Sequence, residues 1–143
     1  MNTRINDRMP DQMLDIYHLL LAEFGPQYWW PAETEFEVIV GALLTQQTRW
    51  ENVERAIKNL KKQSLLTPEA LADADQGTIE ECIRCTGFYR QKAERLRLLS
   101  QYFDHNGITG ILGMPVDELR RELLLLKGVG PETADSIILY AAH

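Results

Sequence analysis

Apolar side chains recur at every third or fourth position along most of the chain, the spacing that places them on one face of an α-helix. The pattern predicts helices over residues 13–24, 36–44, 50–62, 89–103, 116–126 and 132–142. Thr67 before Pro68 predicts a further helix start, and Thr78 and Glu81 have the spacing of a capping box. No alternating strand pattern of useful length is present. The sequence therefore predicts an all-α fold of seven or eight short helices.

Composition and charge are those of one soluble globular domain, or of one domain with a fragment of another. The 143 residues are 45% hydrophobic and 25% charged. The formal net charge of −6 argues against a protein that binds nucleic acid by bulk charge. However, residues 1–48 hold 2 basic and 7 acidic side chains, whereas residues 49–143 hold 13 basic and 14 acidic ones. The longer part is therefore nearly neutral, and nucleic acid stays a candidate partner.

The sequence shows no sign of a membrane or secreted protein. It has no apolar run of about 18 residues, and its polar first residues lack the apolar stretch of a secretory signal. Its two cysteines are too few for a disulfide scaffold. We therefore expect a cytoplasmic protein without membrane contact.

The most informative segment is Lys127-Gly128-Val129-Gly130-Pro131, which separates two predicted helices. Its glycines permit a tight turn and expose backbone N–H groups, while Val129 can anchor the turn in the core. Pro131 favours the first turn of the next helix, whose free N–H groups and dipole suit a phosphate. The segment predicts a hairpin that holds a nucleic-acid backbone without recognising sequence. A plain helix C-cap with an extra glycine is the alternative.

Three segments together resemble the helix-hairpin-helix superfamily of endonuclease III-like DNA glycosylases. LLLLKGVGPETADSIILYAA (residues 123–142) resembles its hairpin, FEVIVGALLTQQT (36–48) the helix and turn that place a glutamine against the DNA base stack, and GFYRQKAERL (87–96) its G-x-Y-x-x-K-A segment. The resemblance covers residues 29–142. It implies that the DNA backbone is bound by Lys127, Gly128, Val129, Gly130 and Thr133. It also implies that Gln46 is the wedge that fills the gap left by a flipped base.

All three tryptophans lie near that turn, and they suggest a pocket for the flipped base. Stacked aromatic rings attract a cationic base by about 0.5–2 kcal/mol, and N-alkylated purines such as 3-methyladenine are cationic in DNA. W-W-P together with T-Q-Q-T-x-W resembles the 3-methyladenine glycosylase branch of the superfamily. We therefore expect Trp29, Trp30, Pro31 and Trp50 to line the pocket. For any single tryptophan, a place in the core is the alternative.

The resemblance also implies limits on the chemistry. Superfamily members that cut the backbone carry a lysine where this chain has Glu132, and a carboxylate cannot form a Schiff base. The catalytic aspartate of the family follows the second hairpin helix, so its position falls beyond His143. We therefore expect no backbone-lyase step, and little or no turnover from these 143 residues.

No cofactor is expected apart from a monovalent cation at the hairpin. Cys82 and Cys85 are too few for a four-cysteine iron–sulfur loop, and such a pair is more often structural than metal-binding. Five cations lie in residues 84–97, where they either contact phosphates or form a solvated helix face: Arg84, Arg90, Lys92, Arg95 and Arg97.

The resemblance implies a six-helix glycosylase domain over residues 28–143, closed by the helix-hairpin-helix. The N-terminal helix, in residues 1–27, would belong to a second, incomplete half-domain. The implied function is a monofunctional base-excision repair glycosylase, or a truncated form of one, that removes alkylated purines from double-stranded DNA. Three alternatives stay open: a non-catalytic DNA-binding module, an endonuclease III-like glycosylase for another lesion, and a helical protein–protein interaction domain.

Overall fold

The computed structural model describes residues 15, 16, 18, 19 and 32–142. The chain divides into two compact units, Met1–Pro31 and Ala32–His143. In the first unit the four described residues are helical, and they fall within the helix predicted over residues 13–24. The rest of that helix lies outside the described residues, as do Trp29, Trp30 and Pro31 of the predicted base pocket.

Residues 32–142 fold into α-helices joined by short turns, with no strand among them, so the predicted all-α fold is confirmed. The eight helices are α1 (Glu35–Leu44), α2 (Trp50–Lys62), α3 (Pro68–Asp73), α4 (Gln76–Ile83), α5 (Tyr89–Asn106), α6 (Ile108–Leu112), α7 (Val116–Leu124) and α8 (Pro131–Ala141). A 3₁₀ turn at Arg84–Thr86 links α4 to α5. Helix α6 had no predicted counterpart, because five residues are too few to show a period.

Threonine side chains cap the starts of α1 and α3. The Thr34 hydroxyl oxygen accepts the Glu37 N–H at 3.1 Å, and the Thr67 hydroxyl accepts the Ala70 N–H at the same distance. Pro68 follows Thr67 in the first turn of α3, where a missing N–H costs no hydrogen bond. The start predicted at Thr67 is therefore confirmed.

The helix start predicted at Thr78 is wrong. Helix α4 begins at Gln76, two residues earlier, because Asp75 adopts an extended backbone and takes the N-cap position. The Asp75 carbonyl then accepts the N–H of Ile79 at 3.2 Å. Thr78 consequently lies inside the first turn, and its spacing to Glu81 is only the ordinary helical one.

Helix α1 is the centre of the domain. Every residue from Phe36 to Leu44 is buried, as its evenly apolar sequence predicts. It packs against α2, α5 and α8, while α7 packs on α8. This arrangement brings the turn after α1 to the same region as the loop that joins α7 to α8.

Candidate functional site

The loop between α7 and α8, residues 125–130, forms the predicted hairpin. The Val129 N–H donates to the Leu126 carbonyl at 3.1 Å, and the Val129 side chain is buried. Gly130 is extended and caps α8, and its carbonyl accepts the Ala134 N–H at 2.9 Å. The hairpin is therefore a tight turn with one apolar anchor, followed at once by a helix whose first N–H groups have no partner within the helix.

Two requirements keep residue 128 a glycine. Its φ of +85° lies in the left-handed region, which side chains with a Cβ rarely adopt. The Arg95 side chain, from α5, also crosses directly over this position: a Cβ on Gly128 would overlap its Cδ and lie 2.7 Å from its Cγ and 2.8 Å from its Nε. Glycine at 128 therefore permits both the turn and the close approach of an arginine.

Gln46 fastens the turn after α1 to the hairpin. Its Nε2 donates to the Gly128 carbonyl and to the Thr133 hydroxyl oxygen, both at 2.9 Å. These partners are 82 and 87 positions away along the chain. Thr133 is buried in the first turn of α8. The predicted wedge and the predicted backbone-binding residues thus lie together, with the Gln46 amide directed onto the hairpin.

Gln47, the next residue, has the opposite character. It is exposed, and its φ of +55° is left-handed. On either side the turn is held firmly: Thr45 donates its backbone N–H to Gly41 at 2.9 Å, and Thr48 accepts the Asn52 side-chain amide at 3.0 Å. A non-glycine residue in this conformation costs free energy, so it marks a position worth testing for function.

A buried amine ties the same region to α5. Lys92 is 2% exposed, and its Nζ donates to the carbonyls of Leu44 at 3.1 Å and Thr86 at 2.8 Å. Burial lowers the pKa of this lysine to about 8. The Leu44 carbonyl ends α1 and the Thr86 carbonyl ends the 3₁₀ turn, so one side chain holds these two chain ends side by side. Lys92, which the sequence offered as a phosphate contact, is therefore an internal brace.

Phe88 lies two residues after Thr86, whose carbonyl Lys92 binds, and was not singled out by the sequence. Its φ is +46°, it is 61% exposed, and it comes directly after Gly87, whose φ is +72°. A large aromatic ring held outward in a left-handed conformation is uncommon. Like Gln47, it lies within three residues of a carbonyl bound by Lys92. A single sequence carries no signal for this, since the backbone conformation of Phe88 depends on the packing of α5.

Ion pairs join the helices around the hairpin. Lys127 Nζ lies 3.0 Å from Glu94 Oε1, on α5, and both side chains are largely exposed. Arg120 Nε lies 2.9 Å from Asp135 Oδ1 and so links α7 to α8. Glu132, which the resemblance places at the position of the lyase lysine, is exposed in the first turn of α8.

Of the four residues predicted to line a base pocket, the structure describes Trp50. It begins α2, is half-buried, and donates its indole N–H to Glu54 Oε1 at 2.8 Å. The other three lie outside the described residues, so the pocket stays a prediction.

The predicted monovalent cation is compatible with the hairpin. The Leu126 carbonyl accepts the Val129 N–H and the Gly128 carbonyl accepts the Gln46 amide, and each oxygen has a second lone pair for a cation. Cys82 and Cys85 are both free thiols, and burial raises the pKa of Cys82. Within the described residues, no three His, Cys, Asp or Glu side chains are grouped as a metal site would require. None of the helices described is both long and apolar enough to cross a membrane.

Comparison with known proteins places the chain in one superfamily. Residues 40–135 match the model of the HhH-GPD superfamily of base-excision DNA repair proteins. A protein of Methanocaldococcus jannaschii, provisionally named a DNA repair glycosylase, is 47% identical over 92% of this chain and 61% of its own length. Endonuclease III of Thermotoga maritima is 37% identical over 72% of this chain and 46% of its own length.

A solved structure shares the fold. The crystal structure of the H. pylori 3-methyladenine DNA glycosylase bound to 1,N6-ethenoadenine matches with a TM-score of 0.72 and 32% identity, over 92% of this chain and 64% of that protein. The chain thus spans less than two thirds of the length of these relatives. The fold, the hairpin and these matches agree: the chain belongs to the HhH-GPD superfamily of base-excision DNA repair proteins.

Proposed function

We propose that this protein is a DNA glycosylase that binds duplex DNA through the hairpin at residues 127–130 and removes N-alkylated purines. The attachment of Gln46 to the hairpin carries the proposal. It fixes the turn expected at the base stack to the loop expected to hold the backbone. An enzyme that rotates a base out of the helix needs both contacts in one rigid frame. The superfamily to which the chain belongs supports the same activity.

The proposed reaction is hydrolysis at the sugar. The bond between C1′ and the base nitrogen breaks, and the base leaves with the bonding electrons. A water oxygen bonds to C1′ and loses its proton, which leaves an abasic site. A purine alkylated at N3 is already cationic in DNA, so it departs as a neutral molecule without a proton from the enzyme.

No backbone cleavage belongs to this proposal, because the lysine position holds the exposed Glu132. A carboxylate has no amine with which to attack C1′ and form a Schiff base. Borohydride, which traps a Schiff base as a stable protein–DNA adduct, should therefore yield none. A trapped adduct would show that another amine of the protein acts as the nucleophile.

The proposed substrate class rests on aromatic character near the turn. Trp50 lies four residues after Gln46, and Trp29 and Trp30 are expected at the same pocket. A stack of aromatic rings favours a cationic base over a neutral one. The H. pylori relative, named a 3-methyladenine glycosylase and crystallised with a modified purine, supports this class.

The central experiment measures duplex binding and release of 3-methyladenine from alkylated DNA. It uses this chain and, where the reading frame continues, the longer product. We expect salt-dependent binding, with release above the spontaneous rate from the longer product. Gly128→Ala should lose binding at least tenfold, because Gly128 has a left-handed φ and an arginine across it. Gly110→Ala is the control, since apart from its chain neighbours and the backbone of its own helix no atom lies within 4 Å of the added methyl group.

Each other outcome selects an alternative. Binding without release by either product would favour the non-catalytic module, and release of oxidised pyrimidines would favour a glycosylase for another lesion. Absence of binding by every product would favour a protein–protein interaction domain and contradict the proposal.

Within this function, we propose Gln47 as the residue that enters the base stack, and Phe88 as a second exposed side chain that contacts the DNA. Gln46 is the alternative from the sequence, but its amide is committed to the hairpin. Gln47 and Phe88 are exposed and held outward by left-handed backbones. In a duplex with 2-aminopurine opposite the lesion site, Gln47→Ala should reduce the fluorescence rise on binding without lowering stability. If the fluorescence rise is unchanged in Gln47→Ala but lost in a folded Gln46→Ala variant, Gln46 and not Gln47 is the residue that enters the base stack.

A further inference from the structure

The side chain of Arg95 is arranged in an unusual way for a surface cation. It is half-buried, and its Cγ, Cδ and Nε lie across the face of Gly128, in the space that any other residue would fill with a Cβ. This contact holds the aliphatic part of the arginine in one place and leaves the guanidinium at the hairpin. The hairpin is therefore completed by a cation from α5, which is separate from it in sequence.

We propose that Arg95 is a third element of the DNA-backbone contact, a phosphate-binding residue that acts beside the hairpin N–H groups and Lys127. The proposal rests on DNA binding at the hairpin, as proposed above, and adds the residue that supplies its fixed charge. A guanidinium can donate two parallel hydrogen bonds to a phosphodiester. Because its side chain is already ordered against Gly128, binding costs less rotamer entropy than ordering a free surface lysine.

The ion pairs around the hairpin leave the charge of Arg95 available to a ligand. In the part of the chain that the structure describes, Lys127 pairs with Glu94, Arg120 with Asp135, and Arg90 with Glu80. No ion pair between Arg95 and a carboxylate occurs among those residues, although Glu94 is its chain neighbour. Arg95 thus offers its charge to a ligand without first breaking a pair, whereas Lys127 must leave Glu94.

The test compares duplex binding at 50–200 mM salt for the wild type and two charge-removing variants, Arg95→Gln and Lys62→Gln. Each phosphate contact contributes about 0.9 to the slope of log K against log salt. Arg95→Gln should weaken binding about three- to tenfold at 100 mM salt and reduce that slope by about 0.9. Lys62→Gln makes the same charge change on an exposed residue at the far end of α2 and should alter neither. Arg95→Lys keeps both the stem and the charge, and should recover most of the slope.

Thermal unfolding of the variants separates binding from folding, because glutamine retains the Cγ and Cδ that pack on Gly128. If a folded Arg95→Gln variant has the same slope of log K against log salt as the wild type, the inference about Arg95 is overturned. The proposal that the hairpin binds DNA would be unaffected by that result. Equal losses in Arg95→Gln and Lys62→Gln would also overturn it, since they would show a general charge effect. Absence of salt-dependent binding by the wild type would contradict the proposed function and this inference together.

Discussion

Gln46 is the residue whose contacts connect the two halves of the proposed interface. Its amide donates one hydrogen bond to the hairpin carbonyl of Gly128 and one to the buried Thr133 hydroxyl at the start of α8. A group of this kind acts on stability and on function at once, because its removal leaves buried polar atoms without a partner. These hydrogen bonds distinguish Gln46 from the adjacent Gln47, which is exposed.

We expect Gln46→Ala to lower the free energy of unfolding by about 1–3 kcal/mol, the range for leaving hydrogen-bonding groups unsatisfied. The measurement is urea denaturation followed by circular dichroism. Gln47→Ala is the matched control and should change stability by less than about 0.5 kcal/mol, because Gln47 is exposed. Equal losses in the two variants would show that the hairpin contact contributes nothing beyond the turn itself.

Glu94 is the carboxylate that pairs with Lys127, a residue of the proposed DNA contact. Its carboxylate holds Lys127 at 3.0 Å and would lie close to any phosphate that Lys127 binds. Glu94→Gln should therefore tighten duplex binding about two- to fivefold at low salt, since exposed pairs of this kind are worth about 0.2–1 kcal/mol. Fluorescence anisotropy with a labelled duplex measures the change, and Glu81→Gln, which removes the partner of Arg84, is the control. Weaker binding by Glu94→Gln would mean that the ion pair positions Lys127 for the phosphate.

At the scale of helices, the packing of α2 on α1 includes an ion pair with a buried carboxylate of α1, Glu37. The Glu37 side chain is 4% exposed, although α1 is otherwise the apolar centre of the domain. Lys61, at the end of α2, places its Nζ 2.6 Å from Glu37 Oε1, and the Glu33 N–H donates to Oε2 at 2.7 Å. The pair raises the pKa of Lys61. It joins the C-terminal part of α2 to the start of α1.

Removal of one partner should cost more than removal of an equivalent surface charge, because it leaves a buried carboxylate unpaired. We expect Lys61→Met to lower the free energy of unfolding by about 1–2 kcal/mol, a value reduced from that of a fully buried pair because solvent screens a lysine that is 38% exposed. Lys62→Met, one position along the same helix and exposed, should lie within about 0.5 kcal/mol of the wild type. Urea denaturation of the two variants measures these changes in the free energy of unfolding. A larger loss in Lys62→Met than in Lys61→Met would contradict the proposed role of the Lys61–Glu37 pair.

At the scale of the whole molecule, Lys92 makes stability depend on pH. Its pKa is lowered to about 8 in the folded chain from an ordinary value of 10.5. Between these values the unfolded chain holds a proton that the folded chain has released, so the free energy of unfolding rises with pH through this window. Below about pH 8 both states are protonated, and the cost of burying the charge is present in full.

The stability difference between wild type and Lys92→Met isolates this effect from the other titrating groups. We expect the wild type to gain stability relative to the variant as pH rises from 7.5 to 10. Urea denaturation at several pH values gives the difference. A difference that stays constant or falls across the window would show that the amine keeps its ordinary pKa in the folded state.

Much of the fold could be predicted from the sequence, because helix formation is governed by local spacing and by caps. The predicted helices over residues 36–44, 50–62, 116–126 and 132–142 agree with α1, α2, α7 and α8 to within two residues at each end. The prediction at Thr78 was wrong because Asp75, three positions earlier, adopts the extended backbone of the N-cap, so that Thr78 lies inside the helix. The short helix α6 was not predicted, because a helix of five residues is too short to show a hydrophobic period.

The sequence by itself determined most of the helices, the hairpin and the superfamily, since each rests on short segments of neighbouring residues. Tertiary structure alone decided which of two glutamines binds the hairpin, that Lys92 is a buried brace, and that Arg95 crosses Gly128. These contacts join residues far apart in the chain, and they form because α8 and α5 both pack on α1. A pattern of residue types does not encode which side chain occupies which gap, because that choice depends on the shapes of all the packed neighbours.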